Sequence, residues 1–145
     1  MMLKKLSNTA FIYTVLALVV GVVYREYTKL SGFTGQTNLS LLHTHLFTLG
    51  MMFFLIVLAL EVTLNLSKQK YFNVFFIFYN VGLSLTVMMM AVRGFLQING
   101  EQLSKGLNAS IAGISGIGHI LLSIGLIVFF INLKQTIDQK NVMGE

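Results

Sequence analysis

Four long apolar stretches dominate this chain and leave few folds open to it. They run over residues 9–27, 39–64, 71–93 and 108–133. Each is close to the ~20 residues that an α-helix needs to cross the hydrocarbon of a bilayer. Backbone amides and carbonyls find no water there, so a spanning segment must bond them internally, as a helix does. Composition agrees: 55% of the residues are hydrophobic and 10% are charged, against about 25% charged in an ordinary soluble domain. The expectation is an all-α integral membrane protein, a four-helix unit forming one domain over residues 1–145.

The segments between these stretches read as turns. Leu30 to Asn38 carries Ser31, Gly32, Thr34 and Gly35; Asn65 to Lys70 is short and polar; Gly94 to Leu107 contains Asn99-Gly100. Ser7-Asn8 is placed to cap the first helix. Met1-Met2-Leu3-Lys4-Lys5 resembles the charged start of a secretory signal, yet the apolar run continues to about Tyr24 without a small-x-small cleavage site. It is read as a spanning helix. The net charge of +5 comes from lysines and arginines flanking apolar runs, which points to topology and not to nucleic acid. One side carries Lys4, Lys5, Lys68, Lys70, Lys134 and Lys140, and the other Arg25, Lys29, Arg93 and Lys105. The majority side is expected to be cytoplasmic, with both termini on it.

Against this background the three histidines stand out. An ionisable residue inside a spanning helix is costly unless something holds it, and so marks a candidate functional site. His43 and His45 sit near the start of the second helix, and His119 lies within the fourth. At ~1.5 Å per residue their depths below one membrane surface are roughly 6, 9 and 16 Å. Residues two apart on a helix point about 200° apart. His43 and His45 therefore cannot both ligate one iron and must serve two faces. Around His43 the helical neighbours are Ser40, Phe47 and Gly50, which leave room for a flat macrocycle. Around His45 they are Leu41, Leu42, Leu49 and Met52. His119 is flanked on its own face by Ala112, Gly116 and Ser123. Small residues in that pattern let a second helix approach closely, or let a porphyrin lie against the backbone.

Arg25 and Arg93 fall at helix ends on the histidine side. They are either end-anchors or partners for two haem propionates, since guanidinium binds carboxylate bidentately. Met51, Met52, Met88, Met89 and Met90 bring thioethers to the same half. Such residues are packing material, axial haem ligands or soft donors for Cu(I). Tyr79 and Asn80 read as interhelical hydrogen-bond partners, and Glu61 as a possible start of a proton path. With no cysteine in the chain, thiolate-ligated haem, iron–sulfur clusters and c-type haem are excluded. No HExxH motif, phosphate loop or nucleophile–base pattern marks a hydrolase or nucleotide enzyme.

The stretch His43-Thr44-His45-Leu46-Phe47-Thr48-Leu49-Gly50 resembles the histidine-bearing helices of the catalytic subunit of haem-copper oxidases and nitric oxide reductases. The whole chain is similar to a short four-helix bacterial membrane family of unknown function. The oxidase subunit has twelve helices in three pseudo-equivalent sets of four, with its haem and metal histidines largely on the second helix of each set. The resemblance thus implies a homotrimer, a bacterial cell membrane, and His43 of one subunit facing His45 of the next across a haem. This chain has no His-His pair on its third helix and no His-Pro-Glu-x-Tyr-like segment, so a complete oxidase is not implied.

The functional expectation is a b-type haem protein that transfers electrons to a redox partner or senses NO or O2. Its cofactor would be held by His43, His45 and His119, with Arg25, Arg93, Gly50 and Gly116 around it. The alternatives are a transporter or channel for a metal ion, copper included, or a small solute, and a helper in which the histidines only bond helices together.

Overall fold

The computed structural model describes residues 1–143. Their architecture is all-helical: α1 (Met2–Leu30), α2 (Leu39–Leu64), α3 (Phe72–Ile98) and α4 (Lys105–Met143). All four are long and apolar enough to cross a membrane. Large apolar side chains such as Phe11, Val22, Ile77, Ile120 and Ile127 point outward and stay more than half exposed. Such a surface is compatible with a multi-pass membrane protein, whose exterior faces hydrocarbon. We call the end bearing both chain termini the terminal end, and the opposite one the histidine end.

α2 has the bounds its hydropathy predicts, because polar asparagines, Asn38 and Asn65, flank it closely. The other three overrun. α1 starts at Met2, not at Thr9, so Ser7 and Asn8 lie inside it and cap nothing. α3 continues to Ile98, and α4 starts at Lys105 and ends ten residues past Leu133. Lysine, glutamine and leucine are good helix formers. The helix therefore carries on where the hydrocarbon stops, and hydropathy marks the membrane edge only.

The turns follow their residues. Gly32 and Gly100 take positive φ, and Asn65 closes α2 in the left-handed conformation. A single 3-10 turn, Leu66–Lys68, then leads to α3. Glu61 is buried, and its carboxylate accepts from the Ser67 amide at 2.8 Å and from the Ser67 hydroxyl. The one carboxylate on α2 thus fastens this turn.

α3 and α4 approach most closely, through glycine. A Cβ on Gly118 would lie 2.9 Å from the Thr86 amide, and one on Gly125 would lie 2.7 Å from the Tyr79 amide. Gly82 stands against the backbone of Leu122 in the same way. α1 leans on α2 and reaches α3 where Tyr13 donates to Asn80 at 2.9 Å. α4 reaches α2 where the rings of Phe53 and Phe129 meet at 5.3 Å. Phe53, Phe54, Phe75 and Tyr79 fill the space between these helices. At the histidine end the start of α2 is fastened to α3: Thr37 donates to the Gly94 carbonyl at 2.9 Å, and the Asn38 amide to Gln97 at 2.8 Å.

α2 is not a uniform α-helix. Leu46–Met52 is wound as a π-helix, a conformation that inserts an extra residue and recurs at functional sites. Tyr79 on α3 donates to the Leu49 carbonyl inside this wide turn at 2.8 Å. The turn follows His45 directly.

Candidate functional site

The two histidines of α2 point to different places, as their spacing requires. His43 turns to α1, where its Cβ lies 3.8 Å from the position a Cβ would take on Gly21. Its Nδ1 is buried without a hydrogen-bond partner among the described residues. His45 borders a shallow cavity of about 290 Å3 with Thr44, Thr48 and Leu49. Its Nδ1 lies 2.9 Å from the Leu41 carbonyl one turn back. A carbonyl only accepts, so Nδ1 carries the proton and Nε2 keeps its lone pair.

His119 repeats this arrangement on α4. Its Nδ1 lies 2.8 Å from the Ser115 carbonyl, which again leaves Nε2 as a free donor of electrons. Histidines that ligate metals are commonly held this way, with the second ring nitrogen on a carbonyl that fixes tautomer and ring orientation. His119 opens onto a groove of about 320 Å3 that also takes in Asn38, Met89, Met90, Arg93 and Gly116. α3, α4 and the residue that precedes α2 build that groove. Asn38 stands seven residues before His45, hence on the same side of α2.

Of the two arginines, one joins the site. Arg93 lies over the groove and donates to Asn108 at 2.9 Å, linking α3 to α4. Arg25 is elsewhere, with a side chain 80% exposed and 3.7 Å from the carboxylate of its neighbour Glu26. The methionine triplet also divides. Met89 and Met90 line the His119 groove, while Met88 turns to another face beside Asn80 and Ser84.

The glycines correct one expectation and bear on another. Gly50 was expected to leave room for a macrocycle beside His43, but the ring of Tyr13 fills that room, 2.6 Å from where a Cβ would be. Gly116 has nothing within 4 Å of such a Cβ, so the small face beside His119 is open. The close helix packing falls instead to Gly118 and Gly125, seven residues apart and turned away from His119. Their spacing was the available signal, but it is masked by the small residues that flank the histidine.

The three histidines do not converge. Among the described residues no three His, Cys, Asp or Glu side chains gather into a metal-holding group. A centre built from all of them is ruled out by the 200° between His43 and His45. What the geometry offers is two separate prepared imidazoles, His45 and His119, the second with a groove around it. Tyr13 and the wide turn of α2 were not legible as parts of this region, because both depend on contacts between helices.

No curated protein and no solved structure matches the chain, and nothing ties it to the haem-copper oxidases that its histidine stretch resembles. A family model described as "Protein of unknown function (DUF2871)" matches residues 3–136. That span covers nearly the whole sequence, all but the first residues of α1 and the last turns of α4, and the chain belongs to the DUF2871 family.

Proposed function

We propose that the protein binds b-type haem in its membrane-spanning region, with His119 as the residue that would hold the iron. The observation that carries this reading is the His119 imidazole, pinned through Nδ1 to the Ser115 carbonyl with its Nε2 free on an open groove. The surroundings suit the group. Gly116 leaves the helix face bare, Met89 and Met90 supply apolar walls, and Arg93 is placed for a propionate. Haem would supply one-electron chemistry or a gas-binding iron. The chain would orient that group and shield it from water. His45, prepared like His119, is the other imidazole in the same half of the molecule with a free Nε2. Held by His119 alone the group would suit gas sensing, and with a second protein ligand electron transfer.

A second reading rests on the same groove. One imidazole and two thioethers form a soft donor set that suits Cu(I). We further place the protein in a bacterial cell membrane with the histidine end outward and both termini cytoplasmic, on the lysine and arginine distribution. A homotrimer is the assembly we propose. The bare face of α4 at Gly106 and Gly113, with nothing within 4 Å, supports contact between copies.

The test is an absorption spectrum of protein purified after expression with ample haem, oxidised and reduced, with metal analysis alongside. A Soret band that disappears in His119→Ala is expected. A colourless protein overturns the haem reading, and copper in that colourless protein establishes the second.

A further inference from the structure

We propose that Tyr79 is the positioning residue that sets the direction of His45, by fixing where along α2 the wide turn sits. An α2 that was α-helical throughout would hold one residue fewer between its two fastened ends. Those ends are secured independently. At the histidine end Thr37 is bonded to Gly94 of α3, and a Cβ on Gly94 would lie 2.6 Å from the Leu39 amide. Beyond the wide turn, Phe54 and Val57 are fully buried in the core. The extra residue must therefore remain, but the ends do not dictate which turn of α2 carries it.

Two contacts dictate that. The Tyr79 hydroxyl donates to the Leu49 carbonyl at 2.8 Å, and the ring of Tyr13 occupies the space over Gly50. Tyr79 is itself immobile: it is fully buried, stacked 4.2 Å from Phe53, and its backbone is pressed by Gly125 of α4. Of the two tyrosines, only Tyr79 bonds to the main chain of the wide turn. Without that bond the extra residue is free to pass toward Leu39, because moving it the other way would turn Phe54 and Val57 out of the core. Each residue that the wide turn passes rotates by about 100°. His45 is among them and Leu39 is not. Tyr79 thereby keys His45 on α2 to the placement of α4, which carries His119.

This claim concerns the direction of α2 and holds whatever His45 binds; only its bearing on haem rests on the reading above. The chain has no cysteine, so spin labels can be placed at will on the full-length protein. One pair joins Thr44→Cys to Ile117→Cys, and a control pair joins Val62→Cys to Ile117→Cys, all at outward-facing positions. In Tyr79→Phe the first distance is expected to shift by several ångströms, up to the roughly 8 Å chord of a 100° rotation at the ~5 Å radius of a helix's side chains, while the control distance stays. No shift in the first pair, or equal shifts in both, overturns the proposal. If Tyr79→Phe does not assemble, Tyr79→Met, which also lacks the hydroxyl, is read with the same two pairs, and the same outcomes support or overturn the proposal. A colourless protein overturns the haem reading alone, and the label distances still decide this one.

Discussion

His43, His45 and His119 differ in what their second nitrogen does, and that difference sorts them. His45 and His119 each give the Nδ1 proton to a carbonyl one turn back. His43 has a buried Nδ1 with no partner among the described residues and faces α1. His43→Ala is therefore expected to keep the Soret band that His119→Ala loses, which the two spectra check directly. Asn132 presents a related case away from the site. It is 1% exposed, and both ends of its amide are buried without a hydrogen bond. An unsatisfied buried polar group costs about 1–3 kcal/mol, and leucine has nearly the same branched shape. Asn132→Leu is expected to stabilise the protein by about 1–3 kcal/mol, read as a higher midpoint of unfolding in detergent. A lower midpoint would mean that the amide has a partner, such as a bound water.

At the scale of elements, the α3–α4 pair depends on glycine more than on apolar side chains. Hydrocarbon tails are as apolar as leucine, so helices in a bilayer associate by close fit and not by escape from water. Gly82, Gly118 and Gly125 supply that fit. Gly125→Val should push α4 off Tyr79 and destabilise the protein by about 3 kcal/mol or more, with a lowered midpoint of unfolding as the measure. Gly116→Ala, where nothing lies within 4 Å, should leave that midpoint unchanged. The contrast also shows what the sequence can and cannot disclose. The opposed directions of His43 and His45 were legible from a rotation of 100° per residue, and the bounds of α2 from the asparagines beside it. The ends of α1, α3 and α4 were not, since helix-forming polar residues continue past the hydrocarbon. The wide turn of α2 was not legible either. Nothing within Leu46–Met52 marks its place; the residues that meet it there, Tyr13 over Gly50 and Tyr79 on Leu49, come from other helices.

For the whole molecule, the position of the groove decides what a bound group would do to it. α2 and α4 meet at the terminal half, where Phe53 touches Phe129, Gln69 bonds Gln139 at 2.8 Å and Lys140 donates to the Thr63 carbonyl at 3.0 Å. At the histidine end the groove lies between them, with Asn38 on one side, His119 on the other and Met89 and Met90 of α3 beneath. The histidine-end half of α4 is held to α3 through Gly118 and the Arg93–Asn108 bond. A haem seated on His119 would add contacts at this end of α4. Binding to the folded state stabilises it by RT ln(1 + [L]/Kd), about 2.7 kcal/mol at a hundredfold excess over Kd. That gain should be local. Amide exchange over the first half of α4 is expected to slow when haem is bound and to return to the unbound rate in His119→Ala, while the terminal half of α4 exchanges alike in both. Equal slowing along the whole of α4 would place the bound group elsewhere.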